Sequence, residues 1–294
     1  MRVNAGDNSA KKPSRLVLNK GVISMKGNMM NWDLTIPQAI LHAEKYNFDG
    51  KLVSRELDGS INSTTYGESI KRSKKLANAL TKIGVNAHDR VATIAWNNSR
   101  HFETYFAVSG MGAILHTLNP RYSPDQLIYI LNHAEDGVLI VDPTFIPLVE
   151  SVQDKLDTVK TIIIASSKDG IPENNLENAL SYDELIQDES DEYDWPELSE
   201  DDAVALCYTS GTTGNPKGVL YSHRSTILHA ISVSGAMGFD SSSSVLPVVP
   251  MFHVNAWGVP YCALINGITL VLPCHALDGE SLYELVKQES VDSM

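Results

Sequence analysis

Between Thr209 and Gly218 four hydroxyls (Thr209, Ser210, Thr212, Thr213) alternate with Gly211, Gly214 and Gly218 and are joined by one cation, Lys217. The surrounding stretch, Leu206 to His223, reads LCYTSGTTGNPKGVLYSH. Glycines there admit positive φ or let the backbone approach a ligand closely. Amide N–H groups, hydroxyl donors and one ammonium suit the oxygens of a polyphosphate. Composition alone equally fits a Ser/Thr/Gly-rich hairpin loop. The stretch is not a standard P-loop, which ends in consecutive Gly, Lys and Ser/Thr; here Pro216 precedes Lys217 and Gly218 follows it.

Two elements must hold that loop. A β-rich run from Ala203 to Tyr208 delivers the chain to it, and a second short strand, Val219 to Ser222, carries it away. A further stretch, Val248 to Tyr261, reads VVPMFHVNAWGVPY. Pro250 and Phe252 fix the exit from a strand, and His253, Asn255 and Trp257 interrupt an otherwise apolar segment. Taken alone, His253 would fit a satisfied core histidine.

The ordered string YTSGTTGNPKGV resembles the phosphate-binding signature of the adenylate-forming (AMP-binding) superfamily, which includes acyl-CoA synthetases, peptide-synthetase adenylation domains and luciferases. PMFHVNAW, HTLNPRYS (His116 to Ser123) and QLIYILNHAED (Gln126 to Asp136) are similar to its medium- and long-chain fatty acyl-CoA synthetase branch. The resemblance runs from about Leu34 to Met294. It implies an α/β fold, the N-terminal lobe of the acyl-CoA synthetase/luciferase-like architecture, with layered, mostly parallel sheets and helices on both faces. It also implies an ATP-dependent fatty acid–CoA ligase that forms acyl-AMP and then a CoA thioester, with ATP, Mg2+ and CoA as cofactors or substrates. Carried over, Thr209, Ser210, Gly211, Thr212, Thr213, Gly214 and Lys217 would surround the ATP phosphates, with Thr209 also a magnesium ligand. His253 would be the catalytic group beside the α-phosphate and the fatty carboxylate. Asn255, Trp257, Gly258 and Tyr261 would line the acyl tunnel, with Trp257 at its mouth. A homodimer is a weaker implication of the same resemblance.

Composition bounds this reading. The 294 residues suggest about two domains, and 43% apolar content supplies a substantial core. A net charge of −13 argues against a nucleic-acid-binding surface but not against ATP. No apolar run is long enough to span a membrane. The three cysteines, Cys207, Cys262 and Cys274, lack metal or redox spacing, which suits a reduced, cytoplasmic protein. Residues 1–29 carry six Lys/Arg against one acid, Asp7, and read as a disordered extension, as sequence upstream of a start at Met25, Met29 or Met30, or as a mitochondrial transit segment.

Periodicity predicts a helix from Thr35 to Tyr46, a hairpin of Lys51–Arg55 and Ser60–Thr64, and an amphipathic helix from Tyr66 to Ile83. Strands at 90–96, 114–117, 138–141 and 161–165 then alternate with helices at 99–112, 123–133 and 146–156, with Ser99 read as a helix cap. Such alternation implies a mainly parallel sheet covered on both faces. An acidic, weakly apolar connector at about 170–202 reads as a solvated excursion. Beyond the loop come a helix to about Gly235, a strand at 245–249, a helix from Phe252 to Leu264, a strand at 268–272 and a helix at 278–288. Val291 to Met294 then looks like the opening of another strand. That abrupt stop predicts a partial AMP-binding domain over 30–294 with its C-terminal domain absent. Later family motifs have no position here, so the chain is expected to complete neither half-reaction efficiently by itself. Two alternatives stay open: a ligase for another small carboxylic acid, and a truncated non-catalytic nucleotide-binding protein.

Overall fold

The computed structural model describes Leu18–Asn19, Val22–Ile23, Gly27, Met29 and residues 32–294 other than 210–214. The chain forms two units, 1–32 and 33–294. In the first, β1 (Leu18–Asn19) pairs antiparallel with β2 (Val22–Ile23).

The second unit opens with α1 (Ile36–Tyr46), whose Pro37 sits in the first turn, where its missing N–H costs nothing. A hairpin follows, β3 (Lys51–Arg55) and β4 (Ile61–Thr65), turned through Asp58-Gly59. Thr65 then caps α2 (Tyr66–Lys82) by accepting from the Glu68 N–H. The predicted alternation is next: β5 (Arg90–Ile94), α3 (Ser99–Gly110), β6 (Ile114–Thr117), α4 (Pro124–Ala134), β7 (Asp136–Val141), α5 (Ile146–Glu150) and β8 (Thr161–Ile164). Ser123 and Gln126 form a reciprocal capping box at α4. The cap of α3 is Asn98, whose side chain accepts from the His101 N–H, and not Ser99. Both residue types suit a cap, and only the backbone path decides which one has extended φ/ψ.

The connector holds more structure than its composition implied. It contains the edge strand β9 (Leu180–Ser181) and α6 (Tyr182–Gln187), and Tyr182 is fully buried. Asp183 binds Arg72 at 2.8 Å and Arg100 at 2.7 Å, while the Tyr182 hydroxyl donates to Glu103 at 2.8 Å. The chain continues through β10 (Ala203–Thr209), β11 (Lys217–Ser222), α7 (His223–Met237), β12 (Ser244–Val245), a one-turn element α8 (Val254–Trp257), α9 (Val259–Asn266), β13 (Thr269–Leu272) and α10 (Gly279–Gln288).

A seven-stranded sheet has the order β11-β10-β6-β5-β7-β8-β9, parallel throughout except for β10–β11. A four-stranded sheet has the order β12-β13-β3-β4, parallel except for β3–β4. Strand alternation sorts the side chains into layers. Val91, Leu115, Ile140 and Ile163 join one cluster, and Ala92, Ile94, Leu139, Val141, Ile162 and Ile164 join another with α4 and α5. The first cluster also takes Leu52, Leu270 and Leu272 from the smaller sheet and the buried faces of α1, α2, α3, α7 and α9. These helices therefore fill the space between the two sheets. Val53, Val271 and Leu285 of α10 make a small core on the outer face of the smaller sheet.

Two predicted elements depart from their expected bounds, one ending early and one starting late, for reasons rooted in proline. The strand expected over 245–249 is limited to Ser244–Val245, because Pro247 offers no N–H and the following carbonyls go to a side chain, that of Asn97. The helix expected from Phe252 begins only at Val259. Pro260 occupies its first turn, and extension backwards would need the N–H that proline lacks. At the other end, Ser293 pairs with Val245 in a single parallel bridge.

Asp142 ties the end of β7 to the β5–α3 turn, accepting from the Trp96 N–H at 2.7 Å and from the Asn98 amide. Burial pushes its carboxyl up from 3.8 to about 7. The folded state therefore keeps this proton to higher pH than the unfolded chain, and the contribution to stability falls as pH rises from about 4 to about 7. Denaturant titrations of Asp142→Asn beside the parent should show the variant gaining relative stability through that window. The gain should approach about 1.4 kcal/mol per pH unit. A pH-independent difference would show that the carboxylate is not held out of water.

Candidate functional site

The carboxyl ends of β5, β6 and β10 lie on one side of the seven-stranded sheet, because the three strands are parallel. Connections from β5 to β6 and from β6 to β7 run over opposite faces, through α3 and α4. That reversal is where open α/β sheets leave a crevice for ligands. The hydroxyl-rich loop leaves β10 at this edge. Thr209 pairs with Lys217 across β10 and β11, both residues are exposed, and the Thr209 hydroxyl lies 3.5 Å from the Lys217 carbonyl oxygen. Ser210, Gly211, Thr212, Thr213 and Gly214 fall outside the described residues.

The root of the loop is firmly held. The Tyr208 carbonyl accepts from the Tyr122 hydroxyl at 3.0 Å, and the Tyr208 hydroxyl meets His133 Nδ1 at 2.6 Å. Desolvation raises the Tyr208 phenol to about 12, so it keeps its proton. Gly218 pairs with Tyr208, and a Cβ there would stand 3.0 Å from Leu206 Cδ1 and 3.2 Å from the Tyr208 ring. A side chain there would need the Leu206 and Tyr208 side chains to give by a few tenths of an ångström.

The second motif arrives at the same edge. Asn97, two percent exposed, donates to the carbonyls of Pro247 and Val249 at 3.0 and 3.1 Å and accepts from the Met251 N–H at 2.6 Å. The Tyr105 hydroxyl donates to the Met251 carbonyl. Beyond this anchor the backbone turns left-handed for five residues: Val254 (φ 48°), Asn255 (50°), Ala256 (48°), Trp257 (53°) and Gly258 (71°). Such a conformation costs about 1–2 kcal/mol for each residue that carries a Cβ. The buried Asn255 side chain reaches into the sheet, its Oδ1 3.1 Å from Cys207 Sγ and 3.4 Å from the Thr117 hydroxyl, its Nδ2 3.5 Å from the Tyr261 hydroxyl. Asn255 and Tyr261 are thus buried, whereas His253 is exposed and Trp257 is 62% exposed.

The structure therefore joins the two motifs through Asn255 and Cys207, two residues before Thr209. Four residues that sequence reasoning passed over take part: Asn97, Tyr105, Thr117 and His229. Asn97 lies in the WNNSR turn, whose consecutive asparagines were a usable signal, and Thr117 lies in the HTLNPRYS stretch; Tyr105 and His229 look like ordinary helix residues. Burial pushes the Cys207 thiol up, so it serves as a packed neutral group and not as a nucleophile. No cluster of His, Cys, Asp and Glu among the described residues could hold a metal by itself. The exposed, weakly bonded Thr209 hydroxyl suits magnesium, which takes few protein ligands when it bridges phosphate oxygens. No helix among the described residues is long and apolar enough to cross a membrane.

Gly258 is constrained twice, by its φ of +71° and by the ring of His229, whose Cδ2 would lie 2.8 Å from a Cβ. Gly258→Ala should lower the unfolding free energy by about 1–2 kcal/mol. Urea denaturation measures this, and an unchanged midpoint would refute the left-handed turn.

The chain matches the family described as AMP-binding enzyme over residues 42–294. It is 46% identical over 264 residues to a 3-methylmercaptopropionyl-CoA ligase of Ruegeria lacuscaerulensis, covering 89% of this chain and 49% of that protein. It is 45% identical over 269 residues to a medium-chain-fatty-acid–CoA ligase of Ectopseudomonas oleovorans, covering 91% and 49%. The structure of a long-chain-fatty-acid–CoA ligase from Archaeoglobus fulgidus superposes with a TM-score of 0.77 at 21% identity over 87% of this chain and 50% of that one. The fold is accordingly that of the N-terminal lobe of such enzymes, and the chain spans about half the length of the relatives it matches. With the strand that leads into the hydroxyl-rich loop joined to the histidine-bearing turn at one sheet edge, and a family match across 42–294, this chain belongs to the AMP-binding enzymes.

Proposed function

We propose that this chain supplies the phosphate- and acyl-binding half of an ATP-dependent fatty acid–CoA ligase. One observation carries the reading: the strand that bears the YTSGTTGNPKGV loop is hydrogen bonded, through Asn255 and Cys207, to the turn that bears His253 and Trp257. Groups suited to a triphosphate and groups suited to a carboxylate with an apolar tail thereby share one edge of the sheet.

In the first half-reaction a carboxylate oxygen attacks the α-phosphorus of ATP. The bond to the β-phosphate oxygen breaks, giving acyl-AMP and pyrophosphate. Lys217 and the loop from Thr209 to Gly214, with its Ser210, Gly211, Thr212 and Thr213, hold the β- and γ-phosphates and offset the negative charge of the departing pyrophosphate. Magnesium held in part by Thr209 would neutralise phosphate charge. His253, exposed at the head of the turn, acts as a hydrogen-bond donor where charge grows on the α-phosphate. In the second half-reaction the CoA sulfur attacks the acyl carbon, its proton is lost, and AMP leaves with the carbon–oxygen bond electrons.

Trp257 and Gly258 form the wall of the acyl site in this reading, with Asn255 and Tyr261 buried behind them. Val254, Ala256 and Val259 add no charge there, which suits an alkyl chain and not an amino group. A shorter acid is the second reading, favoured by the 46% identity to a 3-methylmercaptopropionyl-CoA ligase.

ATP–pyrophosphate exchange by the protein purified from its source, with straight-chain acids of increasing length and with 3-methylmercaptopropionate, tests both. A fatty-acid site should raise kcat/KM about three- to fourfold with each added methylene until the tunnel is full, following about 0.8 kcal/mol per buried CH2. A maximum at the sulfur-containing acid would favour the second reading, and absence of exchange with any acid would refute both. Lys217→Ala should weaken ATP about tenfold, as expected for one charge-assisted hydrogen bond. His253→Ala should lower kcat about a hundredfold with little change in KM for ATP.

A further inference from the structure

We infer that His229 and Asn255 are positioning residues that clamp the 254–258 turn in its left-handed form and so aim His253 at one end and Trp257 at the other. The inference deepens the proposed function and rests on its premise that these two side chains face the substrates.

Backbone bonds at the turn include Ala256 N–H to His253 and Gly258 N–H to Asn255, at 3.0 and 2.9 Å. Four successive residues bearing a Cβ, one of them the β-branched Val254, do not choose positive φ unaided. Something outside the turn must over-determine it. From the sheet side, the Asn255 amide engages Cys207, Thr117 and Tyr261, three groups on three different elements, at 3.1 to 3.5 Å. From the helix side, His229 Nε2 donates to the Trp257 carbonyl at 2.9 Å. That ring reaches the carbonyl only because residue 258 has no Cβ. The clamp therefore has an inner jaw fixed to the phosphate-loop strand and an outer jaw on α7, the helix that begins directly after β11. Loss of either jaw lets the turn leave the left-handed region, which redirects Trp257 and the histidine before it.

His229 is exposed, so its replacement tests the clamp without opening the core. The 294-residue chain labelled with 5-fluorotryptophan gives the readout by 19F NMR, with the Trp257 line assigned by its loss in Trp257→Phe. His229→Ala should shift or broaden the Trp257 line while the Trp96 and Trp195 lines stay in place, and His229→Gln, which keeps an N–H at that reach, should restore it. Asn255→Ala should produce a larger change of the same line. A Trp257 line unmoved in His229→Ala overturns the outer jaw, whatever happens to the fold of Asn255→Ala. Movement of the Trp96 and Trp195 lines together with that of Trp257 in His229→Ala would also overturn it, since that reports general loosening. No substrate enters this measurement, so its failure is separate from a failure of pyrophosphate exchange.

Discussion

The side-chain amide of Asn97 stands in for a missing strand. Between β12 and the left-handed turn the chain crosses from the smaller sheet to the carboxyl edge of the larger one, and its backbone groups have no ladder to join. A buried peptide group without a partner costs about 1–3 kcal/mol, so each must be met. Asn97 meets three, the carbonyls of Pro247 and Val249 and the N–H of Met251, while its own carbonyl accepts from Cys274 at the end of β13. One residue thereby fixes both sheets to the segment that carries the second motif. Asn255 repeats the device one turn later, with side-chain partners on β6, β10 and α9. The exposed His253 lies between the segments that these two amides hold.

Around that crossing the protein is rigid where it must be and open where ligands would enter. Arg72, Arg100, Glu103 and Asp183 bind one another between α2, α3 and α6, with Glu103 almost wholly buried beneath them. Desolvation raises the Glu103 carboxyl against the pull of Arg72. Such networks add little net stability over apolar packing, but they allow only one relative placement of the helices. The exposed residues Thr209, Lys217, His253 and Trp257, by contrast, belong to the loop ends and the turn joined at the carboxyl ends of β6 and β10. A chain of net charge −13 can still present a site for polyphosphate there, because oriented local donors and one ammonium act at contact distance while distant charges are screened.

Departures from the expected elements have a common cause. Pro260 forbids the early start of α9, and Pro247 removes a ladder hydrogen bond from the strand expected at 245–249. Both prolines were legible, yet apolar periodicity outweighed them in reading the segment. The acidic connector was misjudged for the opposite reason. Its charges outnumber its apolar residues, but Tyr182 and Ile186 are buried and Asp183 is held by two arginines, so a few anchors order a segment that composition assigns to solvent.

By itself the sequence determined the alternation of strand and helix, the parallel sheet and the two motifs, because hydrophobic period and the order of glycine, hydroxyl and lysine are local properties. It also carried the resemblance to the AMP-binding family. Only the tertiary structure decided which residues of the second motif face outward: His253 and Trp257 are exposed, while Asn255 and Tyr261 turn into the core. That division follows from a left-handed backbone, which no residue from Val254 to Trp257 prefers and which partners far away in the chain impose. Thr117, Cys207 and His229 are 138, 48 and 28 residues from the groups they hold. No local pattern encodes such pairings, because they exist only once the sheet has brought its strands together.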